Sequence, residues 1–341
     1  MHIPKITPES PDGDLHYKPP AAFPIGPHFK KYSHNPIMVP DPTHEFEEAY
    51  LYNPTAIVVD DKVFLLYRAQ DRHKTLSVGI AWLEDGFNFT RHPRPVLWPT
   101  EPWERGGGCE DPRVVRDSTT KKFIMTYTAY DRGTARLCVA ESLDLFHWKK
   151  HPPFVPSGFE EICTGADGKQ YIRHGWLKSG AVFAERHKDG LYYMIWGESG
   201  MYLASSKDLV EWRTLGGGRD ALFTEGHHVW QNRLIEPGPP PIRLAGKRNL
   251  YVFFYNSCTR GGGQYEKGTY SVSQMLIDYD DVRAGPIARM ERPFLVPEAR
   301  NEVLGQVNRV VFCAGVVQFH GQWFLYYGQG DLELGVATAP L

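Results

Sequence analysis

The segment Gly108-Cys-Glu-Asp-Pro-Arg113 gathers two acids, a proline and an arginine into one short stretch. A proline disfavours the helical region for the residue before it, so an extended backbone is expected at Asp111, with its carboxylate held in a fixed direction and Arg113 within reach of a neighbouring acid. Asp-Pro pairs also open turns, and an arginine there can serve only as a brace, so both readings stand on this segment alone. Asn53-Pro-Thr-Ala-Ile and Tyr67-Arg68-Ala add an amide and a guanidinium, and Asp331 follows Tyr326-Tyr-Gly-Gln-Gly. Each of these groups sits at the end of an apolar, strand-like run. If the strands belong to equivalent units of a closed ring, their ends converge on one funnel, and polar residues distant in sequence form a single site.

The elements that would bring them together are visible as a repeat. Strand cores recur at Val63-Phe-Leu-Leu-Tyr67, Phe123-Ile-Met-Thr-Tyr127, Tyr192-Tyr-Met-Ile-Trp196, Leu250-Tyr-Val-Phe-Phe-Tyr255 and Trp323-Phe-Leu-Tyr-Tyr327, roughly 60 to 70 residues apart. Two of them lead to the phrase Ser-x-Asp-x-x-x-Trp, at Ser142 to Trp148 and Ser206 to Trp212. Copies of this kind are small units that bury their apolar faces only by packing on neighbours. The expected fold is all-β, a five-bladed β-propeller over residues 46–341 preceded by an irregular, Pro- and His-rich N-terminal arm over residues 1–45. Helix should be scarce. The Gly/Pro segments 106–113 and 236–242 are expected as loops facing the axis, and 259–270 as an excursion, either a lid over a pocket or a solvated loop.

Composition excludes several classes of partner. The formal net charge is −2, which leaves no basic footprint for nucleic acid or an anionic membrane surface. Cys109, Cys138, Cys163, Cys258 and Cys313 are scattered without metal-ligand or redox spacing, and the odd count favours free thiols in a reducing compartment. His28, His34 and His44 lie in the irregular arm, where packing or solvation is the expectation rather than ligation; no metal and no cofactor is implied. No leader-like segment opens the sequence, so a cytoplasmic location is expected. An abundance of aromatic residues suits strand packing and stacking on sugar rings. The arm is long enough to reach a neighbouring subunit, which leaves a homo-oligomer open.

Taken as a set, Asn53-Pro-Thr-Ala, Tyr67-Arg-Ala, Glu110-Asp-Pro-Arg113, Thr126-Tyr-Thr-Ala-Tyr, the Ser-x-Asp-x-x-x-Trp hairpins, Gly180-Ala-Val-Phe, Gly238-Pro-Pro-Pro-Ile and Phe324-Leu-Tyr-Tyr-Gly-x-x-Asp331 resemble glycoside hydrolase family 130 from about residue 50 to the C-terminus. The resemblance implies a five-bladed propeller that inverts the anomeric carbon of β-mannosides, with phosphate as nucleophile in the phosphorylases and water in the hydrolases. It places Asn53, Arg68, Asp111 and Asp331 around the mannosyl unit, and matches Asp111 to the aspartate that in the phosphorylases delivers a proton through a sugar hydroxyl.

Within that resemblance two positions depart from the phosphorylase pattern. A basic pair is usual after the third core and a basic residue before the Gly-x-Pro-Pro segment; this chain has Trp196-Gly-Glu198 and Glu236-Pro-Gly238 instead. Carboxylates repel a phosphate dianion, and a glutamate can activate water as a general base. The expectation is an exo-acting, inverting β-mannoside hydrolase cleaving β-1,2 linkages, with Asp111, Glu198 and Glu236 catalytic and Asn53, Arg68, Arg113, Lys178 and Asp331 on the substrate. Either glutamate, or both, would position the water. Arg173, His174 and Lys178 keep positive charge nearby, Lys178 having Glu198 as an alternative partner. A phosphorylase and a non-catalytic glycan-binding propeller are the alternatives.

Overall fold

The computed structural model describes residues 2–154, 159–215 and 222–341. Its strands group into five antiparallel units, each entered by its innermost strand. Blade 1 contains Tyr50–Val59, Lys62–Gln70, Leu76–Leu83 and Phe89–Arg91, and blade 2 Gly108–Arg116, Phe123–Tyr130, Ala135–Ser142 and Lys149–Lys150. Blade 3 contains Gly180–Val182, Tyr192–Trp196, Met201–Ser206 and Trp212–Thr214, and blade 4 Leu234–Pro237, Leu250–Cys258, Tyr270–Asp278 and Pro286–Arg289. Blade 5 contains Val311–Phe319, Gln322–Gln329 and Glu333–Pro340. The single α-helix of the described residues is the turn Arg300–Val303.

Alternation along each strand sends successive side chains to opposite neighbours. Phe64 and Leu66 pack against Phe123 and Met125 of blade 2, while Leu65 and Tyr67 pack against Phe324 and Tyr326 of blade 5. The same rule joins blades 2 and 3 through Ile124 and Met194, blades 3 and 4 through Ile195 and Phe253, and blades 4 and 5 through Phe254 and Leu325. The apolar residues therefore form five inter-blade cores that close a ring. Each fully buried large side chain contributes about 1.5–3 kcal/mol, so closure recovers what no isolated blade could bury.

The Ser-x-Asp-x-x-x-Trp phrase is a turn between the outer strands. Ser142 Oγ accepts from the amides of Asp144 and Leu145, Asp144 Oδ1 from those of Phe146 and His147, and Trp148 Nε1 donates to the Leu145 carbonyl at 2.8 Å. Ser206, Asp208 and Trp212 repeat this set, and Leu145 and Leu209 share φ values of 67° and 68°.

Three segments depart from the sequence reading. The stretches expected as axial loops contain the innermost strands Gly108–Arg116 and Leu234–Pro237, both buried throughout. Within the segment read as an arm, Lys30–Lys31 pairs with Ala337–Thr338 as the fourth strand of blade 5. The rest of the arm is tied to the ring by buried polar side chains. Arg116 donates to the carbonyls of Thr7, Pro8 and Ser10, Gln318 bonds both backbone groups of Lys18, and Gln274 does the same for Ile25.

Candidate active site

The ends of the inner strands meet at one mouth of the ring, and their backbone is irregular there. Asn53, Asp111, Ser179 and Asp331 have φ values of 52°, 53°, 54° and 49°. The strand register shifts between Tyr52 and Thr55 in blade 1 and between Glu110 and Arg113 in blade 2. Bulges of this kind re-aim side chains at rims, and Asn and Asp are the non-glycine residues that best tolerate positive φ. The extended conformation expected at Asp111 is thus replaced by a left-handed one. The reason is chemical: in a regular strand Glu110 and Asp111 would face opposite ways, whereas the bulge lets both reach the same two cations.

Those cations are Arg68 and Lys178. Arg68 contacts Glu110 Oε1 at 3.1 Å and Asp111 Oδ1 at 3.2 Å, with its guanidinium carbon 4.4 Å from the centre of the Tyr52 ring. Lys178 Nζ lies 3.2 Å from Asp111 Oδ2 and 3.5 Å from Glu110 Oε2. Asn53 Nδ2 donates to Asp111 Oδ1 at 2.7 Å, while Asn53 Oδ1 is a buried acceptor with no partner. Such orphaned groups are uncommon in folded proteins, and a ligand hydroxyl would satisfy this one. Arg113 lies beneath, its donors taken by the carbonyls of Asp111, Pro237 and Gly238 at 3.0, 2.5 and 2.9 Å. It ties blade 2 to blade 4 rather than facing the funnel.

Glu198 follows Gly197, whose φ of 126° is open to glycine, at the end of the second strand of blade 3. Arg173 Nη1 lies 2.7 Å from Glu198 and Trp176 Nε1 donates to it at 2.9 Å. The other face of Arg173 is taken by Glu161 at 2.6 Å, and the guanidinium lies over the Trp176 ring. Arg173 and Glu161 belong to the separate hairpin Glu160–Thr164 and Gln170–His174. The neighbouring His174 is exposed and pairs with Glu160, away from the cluster. Lys178 pairs with Glu110 and Asp111 rather than directly with Glu198. Glu236 is buried and accepts a hydrogen bond from Ser179.

These surroundings push the carboxyl groups apart. Burial would raise Asp111, but Lys178, Arg68, Arg113 and the Asn53 amide hold it well below the usual range. Burial opposes ionisation of Glu198 too, and Lys178 and Arg173 outweigh it. For Glu236, burial with Glu198 and Asp111 prevails over Lys178 and Arg113 and lifts it to about 7. Burial, aided by Asp111 and Glu110 against Arg68 and Lys178, lifts Asp331 to about 6. Burial would depress Lys178, yet Asp111, Glu110, Glu198 and Glu236 raise it well above its ordinary value. The site therefore holds ionised and protonatable carboxyls side by side near neutral pH, the usual arrangement for dividing base and acid roles.

All eight sequence-derived residues lie in or directly beneath this cluster. Glu110, Glu161, Trp176 and Ser179 escape sequence reasoning; Glu110 alone had a local signal, its adjacency to Asp111, which strand alternation argues against. The group Asp41, His44 and Glu47 places its ligand atoms within 4.8 Å, but Glu47 is already engaged by Tyr67 and Arg91.

The chain is thus a closed β-propeller with a cluster of acids and cations at one mouth. The sequence profile described as beta-1,4-mannooligosaccharide phosphorylase matches residues 26–341, and the chain belongs to that family, glycoside hydrolase family 130. It is 29% identical over 329 residues to the beta-1,2-mannobiose phosphorylase of Thermoanaerobacter sp. (strain X514), covering 90% of this chain and 96% of the relative. Among solved structures, one described by the finding that this family of mannoside phosphorylases contains glycoside hydrolases targeting beta-1,2 mannosidic linkages in Candida mannan is 30% identical, with TM-score 0.81 and coverage of 94% and 96%. A glycosyl hydrolase from Bacteroides ovatus is also 30% identical, with TM-score 0.79 and coverage of 92% and 94%. The chain is a mannoside-processing enzyme.

Proposed function

We propose that this enzyme is an exo-acting, inverting β-mannoside hydrolase that cleaves β-1,2 linkages. One observation carries the choice of water over phosphate: Arg68, Lys178 and Arg173 each contact two carboxylates. A phosphate dianion entering the funnel would meet cations already neutralised and carboxylates that repel it, whereas water meets no such barrier. The named relatives in Thermoanaerobacter are phosphorylases, and the likeness to the structure associated with β-1,2-mannoside hydrolases supports the other branch.

In this reading Glu198, held ionised and oriented by Arg173 and Trp176, draws a proton from the attacking water. Asp111, Asn53 and Arg68 grip the mannosyl hydroxyls, with Asp331 closing the same subsite. Asp111 starts ionised, so the proton it passes to the leaving oxygen, directly or through a sugar hydroxyl, first reaches it from a carboxyl that holds one near neutrality. We assign that role to Glu236, raised to about 7 and within electrostatic reach of Asp111. Inversion then requires the base and the proton donor to lie on opposite faces of the sugar.

Incubation with β-1,2- and β-1,4-mannobiose, with and without phosphate, tests the proposal. Mannose should appear with inverted configuration at a rate independent of phosphate. Formation of mannose 1-phosphate, or a strict need for phosphate, would assign the chain to the phosphorylases.

A further inference from the structure

A cavity of about 600 Å³ opens at the other mouth of the ring. Its walls include Val58, Arg116 and Gln318, which stand at the far ends of inner strands in three different blades, and the arm crosses it from Asp12 to Pro19. Its size lies within the range of small-ligand sites, which combine apolar walls with a few placed polar groups.

The charges that line this cavity are mostly committed elsewhere. Arg116 pairs with Asp12 and bonds the arm carbonyls, and Arg243 pairs with Glu185. Two polar groups are not committed. Asp14 Oδ1 accepts from the His16 amide, but Asp14 Oδ2 has no partner, and the Tyr251 hydroxyl has the Glu185 carboxylate near it without a well-formed hydrogen bond; the two residues are 6% and 2% exposed. Buried polar atoms without partners cost free energy, and a ligand that satisfied them would recover it. Two aromatic rings complete the cavity, Tyr17 and Trp323, edge to face with centroids 6.4 Å apart.

An unpaired carboxylate oxygen disfavours anions and accepts from hydroxyl groups, the tyrosine hydroxyl can donate or accept, and aromatic rings pack on the C–H faces of a pyranose. We propose that this cavity is a second, non-catalytic site for a neutral saccharide of one or two rings, held by Asp14, Tyr17, Tyr251 and Trp323. The proposal does not depend on whether the funnel uses water or phosphate. Because the arm forms one wall, occupancy would also fasten the arm to the ring.

Calorimetric titration with mannose and β-1,2-mannobiose tests this in the full chain, with Glu198→Gln introduced to prevent turnover. Two sites per chain are expected. Asp14→Asn, which keeps the acceptor for the His16 amide, and Tyr17→Ala should each weaken one of them by at least about tenfold, while Asp111→Asn weakens the other. In the turnover-competent chain Asp14→Asn should leave kcat/KM within about twofold, and thermal melting should show both rear-face variants folded. A single site in the parent, a second site that survives both rear-face changes, or filling by a small amine but not by mannose would each overturn the proposal.

Discussion

Blades 2 and 3 solve the same packing problem differently. In blade 2 the second strand carries Tyr127, whose hydroxyl donates to Glu104, which is paired with Lys150 at 2.6 Å. Blade 1 repeats the arrangement with Tyr67, Glu47 and Arg91, and blade 5 with Tyr327, Glu302 and Lys31. Blade 4 has a neutral version in which Gln231 donates to Tyr255. Blade 3 has Trp196 at this point, its indole N–H unpartnered and its ring packed among Phe154, Phe159 and Tyr202. Two residues on lies Glu198. Where the polar staple holds the tyrosine, the strand continues past it; where apolar packing replaces the staple, the strand stops at Trp196 and the chain beyond it delivers a carboxylate held by Arg173 and Trp176.

That contrast can be broken experimentally, beginning at blade 3. Glu198→Gln should leave sugar binding nearly intact and reduce kcat by about 10³-fold, as removal of a general base does; wild-type turnover would transfer the role elsewhere. Removing the staple acid in blade 2, Glu104→Ala, strands Lys150 and the Tyr127 hydroxyl. It should cost about 3–5 kcal/mol in chemical denaturation, as when one partner of a buried pair is lost, with the Kd for mannose unchanged.

Glu236→Gln sharpens the comparison through pH. A carboxyl raised from 4.5 to about 7 on folding contributes stability that is complete below pH 4.5 and lost as pH rises through 7. The amide variant should therefore be more stable than the parent at pH 8, on the order of 1–3 kcal/mol, and equal to it near pH 4.5, while turnover falls. Equal melting temperatures at pH 8 would mean that Glu236 is not strained by ionisation. In the parent, kcat/KM should decline above about pH 7 as this proton is lost. The smallest effect belongs to Tyr127→Phe, about 1 kcal/mol, because Glu104 keeps Lys150 and the amides of Thr100 and Glu101 as partners.

The blades were legible because strand cores such as Phe123-Ile-Met-Thr-Tyr127 declare both apolar faces within five residues, and the Ser-x-Asp-x-x-x-Trp turn is closed by bonds local in sequence. The primary carboxylates were legible as charges breaking that pattern. The bulge at Asp111 was not, since Pro112 argues for the opposite backbone, and neither were the staples, whose acids sit 20 to 25 residues before their tyrosines in single helical turns. Glu161 meets Arg173 across a hairpin and Ser199 across most of a blade, so only folded geometry links Glu161 and Arg173 to Glu198.

Lys30–Lys31 joins the last strand of the chain, across more than 300 residues, as Lys30 faces Thr338. The ring is thus fastened by a clasp made from its two ends. Contacts so distant in sequence form slowly, so the blade bearing Asp331 acquires its fourth strand only once residues as far as Thr338 have been made. Deleting the first 31 residues should leave five blades but an unlatched seam between the fifth and the solvent, and with it a funnel whose Asp331 side is free to drift from Asp111.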